Sequence, residues 1–391
     1  MKFISLAIQK ALPAAAALVS ASLLFSGCGT ATPANLDLSG NSADASNSTS
    51  NTSSVSGSGS ASSGAPSSGA LSIATPSGNV SGTTVSITNV SYDPTRELYE
   101  SYDTLFAAYW KNKTGQTVNV TVSNGGSGAQ ARSVLEGNDA DVVTLAVQSD
   151  IDELANAGLL NTDWMTELPN DSTPYTSTIV LLVRKGNPKN IQDWGDLVKP
   201  GVDVITPDPK SSGGARWNFL AAWAYADKQN NGDETKDEAF MKALYGNVSV
   251  LDSGARASTT TFVTSKKGDV LIAWENDAYL AMKENPGQFE LINPSMSILA
   301  QPPVAVVNAN AKKDGTEAVS EAYLQYLYSD DAQRLEGQNF YRPSNPDILK
   351  EFSGTFDLSM PLVSINDFGG WAAATPKFFA DGAIFDQIYQ K

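Results

Sequence analysis

The sequence predicts an α/β protein with two lobes, preceded by a long segment that lacks a core of its own. From about residue 84 onward, apolar strand-like stretches alternate with helical patterns, which indicates lobes built on largely parallel sheets. These roughly 300 residues exceed what a single hydrophobic core usually holds, so two lobes are expected. The residues before them are rich in serine and poor in the apolar residues that a core needs.

The first 27 residues are predicted to be a secretory signal peptide. Lys2 and Lys10 supply positive charge, and the apolar stretch 11–25 is followed by the small residues Ser26 and Gly27. The apolar stretch is too short to span a bilayer comfortably. The protein is therefore expected to be exported.

Cys28 is the single cysteine of the chain and directly follows this predicted signal peptide. Residues 24–28 (Leu-Phe-Ser-Gly-Cys) resemble the lipobox of bacterial lipoproteins, in which the cysteine thiol carries a diacylglyceryl group. The resemblance implies a lipoprotein that faces the periplasm or the cell exterior and touches the membrane only through its anchor. An ordinary signal peptide with an incidental cysteine is the alternative.

Residues 28–83, which begin with the cysteine proposed for lipidation, are expected to form a flexible linker. Between residues 41 and 70, 13 of the 30 residues are serine, and none is Lys, Arg or aromatic. Such a segment cannot bury enough apolar surface to offset the entropy lost on ordering it. It would let the folded lobes reach away from the membrane.

The folded part begins with a strand, a turn and a helix. Asp93 is expected to be the N-cap and Pro94 the first residue of a helix that stops at Gly115. Ser127 and Gln130 predict a capping box on the next helix. The predicted strands are 85–90, 118–122, 141–146, 177–183, 204–206, 248–251 and 270–274, and a further helix covers 215–225.

The expected lobes are not continuous in sequence. Lobe 1 is predicted to comprise residues 84–176 and a return segment 297–391, and lobe 2 residues 177–296. In α/β sheets ligands bind beyond the carboxyl ends of the strands, which is where the predicted turns lie.

The composition excludes several kinds of active site. The 391 residues include no histidine and one cysteine, which excludes Ser-His-Asp triads, imidazole metal ligands and cysteine-rich clusters. With 42 acidic and 26 basic side chains the formal net charge is −16, which argues against nucleic-acid binding. We expect no catalytic residue, no metal site and no cofactor.

Four strand-to-helix turns are built from Ser, Gly, Asp and Ala. They contain Asp93, Ser127, the run 212–214, and Ala255. The start of a helix offers free N–H groups and a partial positive charge, so it is suited to anions. Each turn alone is better explained as a capped helix without a ligand. Several such turns brought together would hold an oxyanion with neutral groups.

Longer strings of residues surround these turns. They are Ser-Tyr-Asp-Pro-Thr-Arg-Glu-Leu-Tyr at 91–99, Gly-Gly-Ser-Gly at 125–128, Pro-Tyr-Thr-Ser-Thr-Ile-Val at 174–180, Pro-Lys-Ser-Ser-Gly-Gly-Ala-Arg-Trp at 209–217, Asp-Ser-Gly-Ala-Arg at 252–256, Trp-Glu-Asn at 274–276, Asn-Phe-Tyr-Arg-Pro at 339–343 and Phe-Gly-Gly-Trp at 368–371. In this order, over essentially all of residues 84–391, the chain closely resembles the sulfate- and thiosulfate-binding proteins of bacterial ABC importers. One departure is Asn124, where the family often has histidine.

The resemblance implies a periplasmic binding protein of type II fold, a monomer that closes two lobes on a dehydrated sulfate and delivers it to an ABC permease. The resemblance also implies that only uncharged hydrogen-bond donors of the protein contact the sulfate. These are the main-chain N–H groups of Asp93, Gly213, Gly214 and Ala255, the hydroxyls of Ser127 and Ser212, and the indole N–H of Trp274. The arginines nearby, Arg96, Arg216 and Arg256, are expected to form caps and interlobe salt bridges instead of binding sulfate.

Alternatives of three kinds are open at this point. Thiosulfate or another tetrahedral oxyanion is the alternative ligand. A surface sensor that signals occupancy to a receptor is an alternative of a different class. An enzyme acting on oxyanion esters is the third, but the sequence lacks a nucleophile–base pair or a metal set to support it.

Overall fold

The computed structural model describes residues 71–389, and these residues form two mixed β-sheets flanked by helices. The strands are β1 (Thr84–Tyr92), β2 (Thr117–Gly125), β3 (Val142–Thr144), β4 (Tyr175–Thr176), β5 (Ile179–Arg184), β6 (Val204–Pro207), β7 (Val248–Asp252), β8 (Val270–Trp274), β9 (Phe289–Ile292), β10 (Ser297–Ile298), β11 (Val304–Val306), β12 (Arg342–Pro343) and β13 (Leu362–Val363).

The helices alternate with the strands in the first two thirds of the described chain and dominate its last third. They are α1 (Arg96–Thr114), α2 (Ser127–Leu135), α3 (Gln148–Asn156), α4 (Pro169–Ser172), α5 (Gly213–Asn230), α6 (Glu234–Gly246), α7 (Ala255–Val263), α8 (Glu275–Glu284), α9 (Asn308–Asp314), α10 (Glu317–Tyr326), α11 (Asp330–Gln338), α12 (Pro346–Glu351), α13 (Trp371–Ala374) and α14 (Ile384–Ile388). Short 3-10 turns cover Asp93–Thr95, Trp164–Thr166, Trp194–Asp196 and Ile365–Phe368, and a π-helical turn covers Thr375–Phe379.

The predicted signal peptide, Cys28 and most of the predicted linker lie outside the described residues. Between residues 71 and 389, no helix is long and apolar enough to cross a membrane.

The first sheet has the strand order β11-β3-β1-β2. β1 pairs in parallel with β2 and β3, whereas β11 is antiparallel to β3. Helix α1 packs its apolar face on this sheet, where Tyr102, Phe106 and Trp110 join Ile87 of β1 in one buried cluster. The helix ends at Gly115, whose φ of 74° is the left-handed conformation of a helix C-cap, as predicted.

The second sheet has the strand order β7-β6-β8-β5-β9. β6 is parallel to β7 and β8, but β5 is antiparallel to both β8 and β9. Largely parallel sheets were expected, and the sheets are instead mixed. The physical reason is the chain path: β5 and β11 directly follow segments that cross from one sheet to the other, so each enters its new sheet from the opposite side.

The chain crosses between the sheets at three places. The first two crossings meet at a bridge between Ser177 and Ala300, and the third pairs β12 with β4 in an antiparallel ladder. Arg342 of β12 forms a bidentate ion pair with Glu275, with Nε–Oε2 and Nη2–Oε1 distances of 2.7 and 2.9 Å. Both side chains are buried, so this pair joins the third crossing to the first turn of α8.

Residues 371–389, here called the C-terminal segment, pack on the helices of the second sheet. The Trp371 and Trp217 ring centroids are 4.9 Å apart, and those of Phe385 and Tyr245 are 5.3 Å apart. Helix α5 is buried from its first residue through Ala224, so it provides the apolar surface that these aromatic residues cover. This packing differs from the expected assignment of all residues 297–391 to lobe 1. The other lobe boundaries stay a prediction.

We expect Arg342→Ala to lower the free energy of unfolding by about 3–5 kcal/mol, because it leaves the Glu275 carboxylate buried without a partner. The matched control is Arg334→Ala, which breaks a largely exposed pair with Glu351 and should change the free energy of unfolding little. Urea denaturation measures both. Equal losses in the two variants would contradict the importance of the buried pair.

Candidate functional site

The four predicted turns all begin helical structure immediately beyond strands of the two sheets. The 3-10 turn at Asp93 follows β1, and α2 follows β2. Helix α5 begins a few residues after β6, and α7 begins after β7. Trp274 is the last residue of β8, beside these turns. The carboxyl ends of parallel strands lie at one edge of a sheet, so each sheet contributes its turns from one edge.

Close backbone contacts bring the turns of the two sheets together. A side chain at Gly126, before α2, would come within 3.0 Å of the carbonyl oxygens of Ser211 and Ser253, in the turns before α5 and α7. A side chain at Gly213 would meet Ser127 and Ala146 of the first sheet at a similar distance. Only glycine allows this approach, which explains the glycines of both turns.

The remaining predicted residues lie at the same junction. The Trp274 indole Nε1 donates to the carbonyl oxygen of Gly214 at 3.2 Å, and its ring centroid is 5.3 Å from that of Tyr92. The carboxylate of Asp93 lies against Gly254, the residue before Ala255. All seven predicted ligand residues therefore come from turns that contact one another, although they span residues 93–274 of the sequence.

The main-chain N–H groups of these turns are available to a ligand. The first N–H groups of a helix have no acceptor within the helix itself. Among the residues that the structure describes, none accepts a hydrogen bond from the N–H of Asp93, Gly213, Gly214 or Ala255. Gly213 and Gly214 are also buried. Several uncommitted donors in one place can hold an anion through neutral groups alone.

The two serines differ in what their hydroxyls do. Ser212 is the N-cap of α5, and its Oγ accepts a hydrogen bond from the N–H of Ala215, which leaves the hydroxyl proton free. The Ser127 hydroxyl instead donates to Asp150 Oδ2 at 2.5 Å and accepts from the N–H of Ala146. The expected hydroxyl donor at Ser127 is thus already engaged, whereas its main-chain N–H has no acceptor among the described residues.

The predicted caps of the first two helices are wrong in detail. Asp93 lies inside the 3-10 turn and its side chain caps nothing, because Tyr92 occupies the N-cap position. Ser127 is the first helical residue and makes no capping box, since its hydroxyl binds Asp150. The Gln130 amide donates to the carbonyl oxygens of Ser91 and Ser123 in the neighbouring strands.

Cationic side chains near the turns are paired with carboxylates. Arg216 Nη1 lies 2.9 Å from Asp150 Oδ1, and Arg256 Nη2 binds the Glu97 carboxylate. Each pair joins an element of the second sheet to one of the first, as the sequence predicted. Arg96, the third arginine considered, is exposed. The pairs reduce the positive charge offered to a ligand, so neutral donors dominate the junction.

Asp277 is a buried carboxyl next to this junction that sequence reasoning missed. Its Oδ1 has no hydrogen-bond partner within residues 71–389, and burial raises its pKa to about 7, with Arg256 opposing the shift and Glu97 and Asp93 adding to it. Burial also raises the pKa of Asp93. Asp150 was missed as well, because its role depends on contacts with residues 23 and 66 positions away in sequence.

The described residues contain no group of three or more His, Cys, Asp or Glu side chains placed to hold a metal ion. Asn124, the departure from the family pattern, donates from its amide to the carbonyl oxygen of Tyr92 at 3.3 Å. It therefore braces the strand end that leads into Asp93.

Residues 95–342 match the family of bacterial extracellular solute-binding proteins. The chain belongs to this family, whose members bind solutes and are not enzymes. The site described above lies almost entirely within the matched residues.

Individual relatives carry names that state which anion they bind, which the family description does not. The chain is 55% identical to a sulfate-binding protein of Salmonella typhimurium over 317 residues, which cover 81% of this chain and 96% of that protein. It is 46% identical to a thiosulfate-binding protein of Pseudomonas aeruginosa, covering 80% of this chain and 94% of that protein. The solved structure of the sulfate-binding protein SubI from Mycobacterium tuberculosis H37Rv is similar in fold, with a TM-score of 0.67 and 33% identity over 75% of this chain and 99% of that chain.

We expect Asp277→Asn to stabilise the protein increasingly as the pH rises. The carboxyl of the folded protein keeps its proton to about pH 7, whereas an unfolded aspartic acid loses it near its ordinary pKa of 3.8. Stability from this group is therefore present at low pH and is lost between these two values. The gain of the variant over the unsubstituted protein should grow by up to about 4 kcal/mol between pH 4 and pH 8.

Chemical denaturation at a series of pH values measures this difference. Asp330→Asn, at an exposed carboxylate, is the control for removing a charge at the surface. A pH-independent effect of Asp277→Asn would contradict this expectation, because it would show that the pKa of the Asp277 carboxyl is the same in the folded and the unfolded protein.

Proposed function

We propose that this extracellular solute-binding protein captures sulfate at the junction of its turns and delivers it, as a monomer, to an ABC permease. The observation that supports this most directly is the convergence of four helix starts from two sheets with uncommitted N–H groups. The relatives named for sulfate binding support the choice of anion.

The protein groups that we propose to bind sulfate are uncharged hydrogen-bond donors. The N–H groups of Asp93, Gly213, Gly214 and Ala255 donate to the sulfate oxygens, together with the hydroxyl of Ser212. Trp274 contributes its indole N–H. The indole Nε1 lies 3.2 Å from the carbonyl oxygen of Gly214, at the long end of hydrogen-bond distances, so this hydrogen bond holds the N–H weakly. Ser127 contributes its main-chain N–H, because its hydroxyl is held by Asp150.

Such a set of donors favours a fully deprotonated oxyanion. At neutral pH sulfate has no proton, so each of its oxygens can accept. Hydrogen phosphate keeps a proton that needs an acceptor, and a buried polar group without a partner costs about 1–3 kcal/mol. Discrimination through an unmet partner is stronger than discrimination by shape. The site is thus suited to sulfate over phosphate.

Titration calorimetry of the purified protein with sulfate, thiosulfate, molybdate and phosphate tests the proposal. Sulfate should bind most tightly and phosphate weakly at pH 7. Preference for thiosulfate would support the alternative ligand that the Pseudomonas aeruginosa relative suggests. Failure of both sulfur oxyanions to bind would refute the proposed function.

The two serines provide a matched pair of variants. Ser212→Ala removes a hydrogen bond to a charged ligand and should weaken sulfate binding by about 1.5–3 kcal/mol, roughly 10- to 150-fold. Ser127→Ala keeps the main-chain N–H and should affect affinity less, because the lost hydroxyl binds Asp150. Calorimetry measures both dissociation constants. A larger loss in Ser127→Ala than in Ser212→Ala would reverse these two roles.

We further propose that Cys28, outside the described residues, carries a lipid that holds the protein at the outer face of the membrane. Cys28→Ser should then release the exported protein from membranes, because no lipid is attached. Fractionation of cells that express the full chain, with detection in membrane and soluble fractions, measures the distribution. Unchanged membrane association of Cys28→Ser would count against lipidation.

A further inference from the structure

Lys210 lies in the turn before α5, two residues before Ser212, yet its ammonium group is bound elsewhere. Nζ donates to the carbonyl oxygens of Phe379 and Ala380 at 3.1 and 3.2 Å. It also lies 3.0 Å from both Asp381 Oδ1 and Asp386 Oδ2. We call these four acceptors the Lys210 clamp. All four belong to the C-terminal segment.

The clamp is itself held in shape. Asp386 Oδ2 also accepts from the N–H of Gly382 at 2.7 Å, which closes the loop that carries the other three acceptors. The lysine and this hydrogen bond together lower the pKa of Asp386 against the opposing effect of burial. The carboxylate is therefore charged across the neutral pH range, and the clamp is present there.

The C-terminal segment touches the turn on both of its sides. Lys210 is bound before the glycines, and after them Trp371 packs edge-on against Trp217 with centroids 4.9 Å apart. The Arg216 guanidinium lies 5.7 Å from the ring centroid of Phe379. Within the turn, the N–H groups of Ser211 and Ser212 donate to the carbonyl oxygen of Asp208. The turn is thus fixed internally by its own hydrogen bonds and externally by the C-terminal segment, together with the Ser211 hydroxyl, which donates to the carbonyl oxygen of Ser253 at 2.9 Å.

A lysine this close to an anion site would ordinarily be expected to bind the anion. Here its three donor hydrogens face four acceptors, two of them charged, so little of its charge is left for a ligand. An exposed ion pair contributes little to stability. Lys210 is partly buried, however, with 29% of its side chain exposed, although Asp381 is fully exposed. Its contacts join the turn that carries the following N–H groups to the C-terminal segment.

We propose that Lys210 and its clamp are a positioning device for the anion-binding turn 209–214. The clamp holds the N–H groups of Gly213 and Gly214 and the hydroxyl of Ser212 in place for the ligand, and it holds the ammonium group away from it. Ligand contacts depend on placement to within a fraction of an ångström, so loosening the turn weakens binding without removing any donor. This proposal rests on the proposed function of the site.

Lys210→Met tests it, because methionine keeps most of the side-chain length and loses the charge. The sulfate dissociation constant should rise about tenfold, mainly through faster release. Lys210→Arg, which can still bind the carboxylates, should restore most of the affinity. Combining Lys210→Met with Asp386→Asn should add little to the effect of Lys210→Met alone, since both break the same contact.

Lys377→Met is the matched control. Its ammonium group also ties the C-terminal segment to a helix of the second sheet, through Glu234 at 2.9 Å, but it does not touch the turn. Sulfate affinity of this variant should stay within about twofold of the unsubstituted protein. Hydrogen exchange supplies a second readout: amides 211–215 should exchange faster in Lys210→Met and not in Lys377→Met.

Unchanged affinity and unchanged exchange of these amides in Lys210→Met would overturn the proposal. So would equal losses of affinity in Lys210→Met and Lys377→Met, which would indicate a general loss of stability. Failure of the unsubstituted protein to bind sulfate would instead refute the proposed function. Suppose that the unsubstituted protein binds sulfate and that Ser212→Ala weakens this binding. Unchanged sulfate affinity and unchanged amide exchange in Lys210→Met would then refute only the positioning role of Lys210.

Discussion

Holding an anion without a cationic ligand requires several helix starts to meet at one point, and the rest of the structure follows from this constraint. One helix start supplies about four free N–H groups, fewer than the hydrogen bonds that a tetrahedral dianion can accept. The sheets meet this requirement by placing four starts beyond their strands and pressing them together at Gly126 and Gly213. A backbone this close leaves no space for side chains, so the donors that we propose are main-chain groups, one hydroxyl and one indole.

The same constraint explains the pairing of charges around the junction. A free guanidinium or ammonium group would attract any anion, whatever its protonation state. Arg216, Arg256 and Lys210 are each bound by carboxylates, and the first two pairs also join the two sheets. The net charge of −16 is therefore a property of the molecular surface and says little about the sign of the ligand. In this account the placement of neutral donors takes the role that a cationic side chain would otherwise have in binding the anion.

The sequence predicted what is locally encoded. Strand β8 has the predicted bounds, α1 stops at the predicted Gly115, and the turn residues were found because Ser and Gly at a helix start have a local physical meaning. Three features depend on distant contacts and were not predictable from the sequence alone. Asp150 takes the Ser127 hydroxyl, β5 runs antiparallel to its neighbours, and the C-terminal segment packs on α5. None leaves a periodic or compositional signal in its own stretch of chain.

A crystal structure of the protein with sulfate tests the central claim most directly. The claim predicts that every sulfate oxygen accepts hydrogen bonds from the uncharged donors of the four turns and Trp274. Arg216, Arg256 and Lys210 should keep their carboxylate partners and make no contact with the anion. Sulfate bound by any of these three cations, or bound away from the turns, would contradict the account.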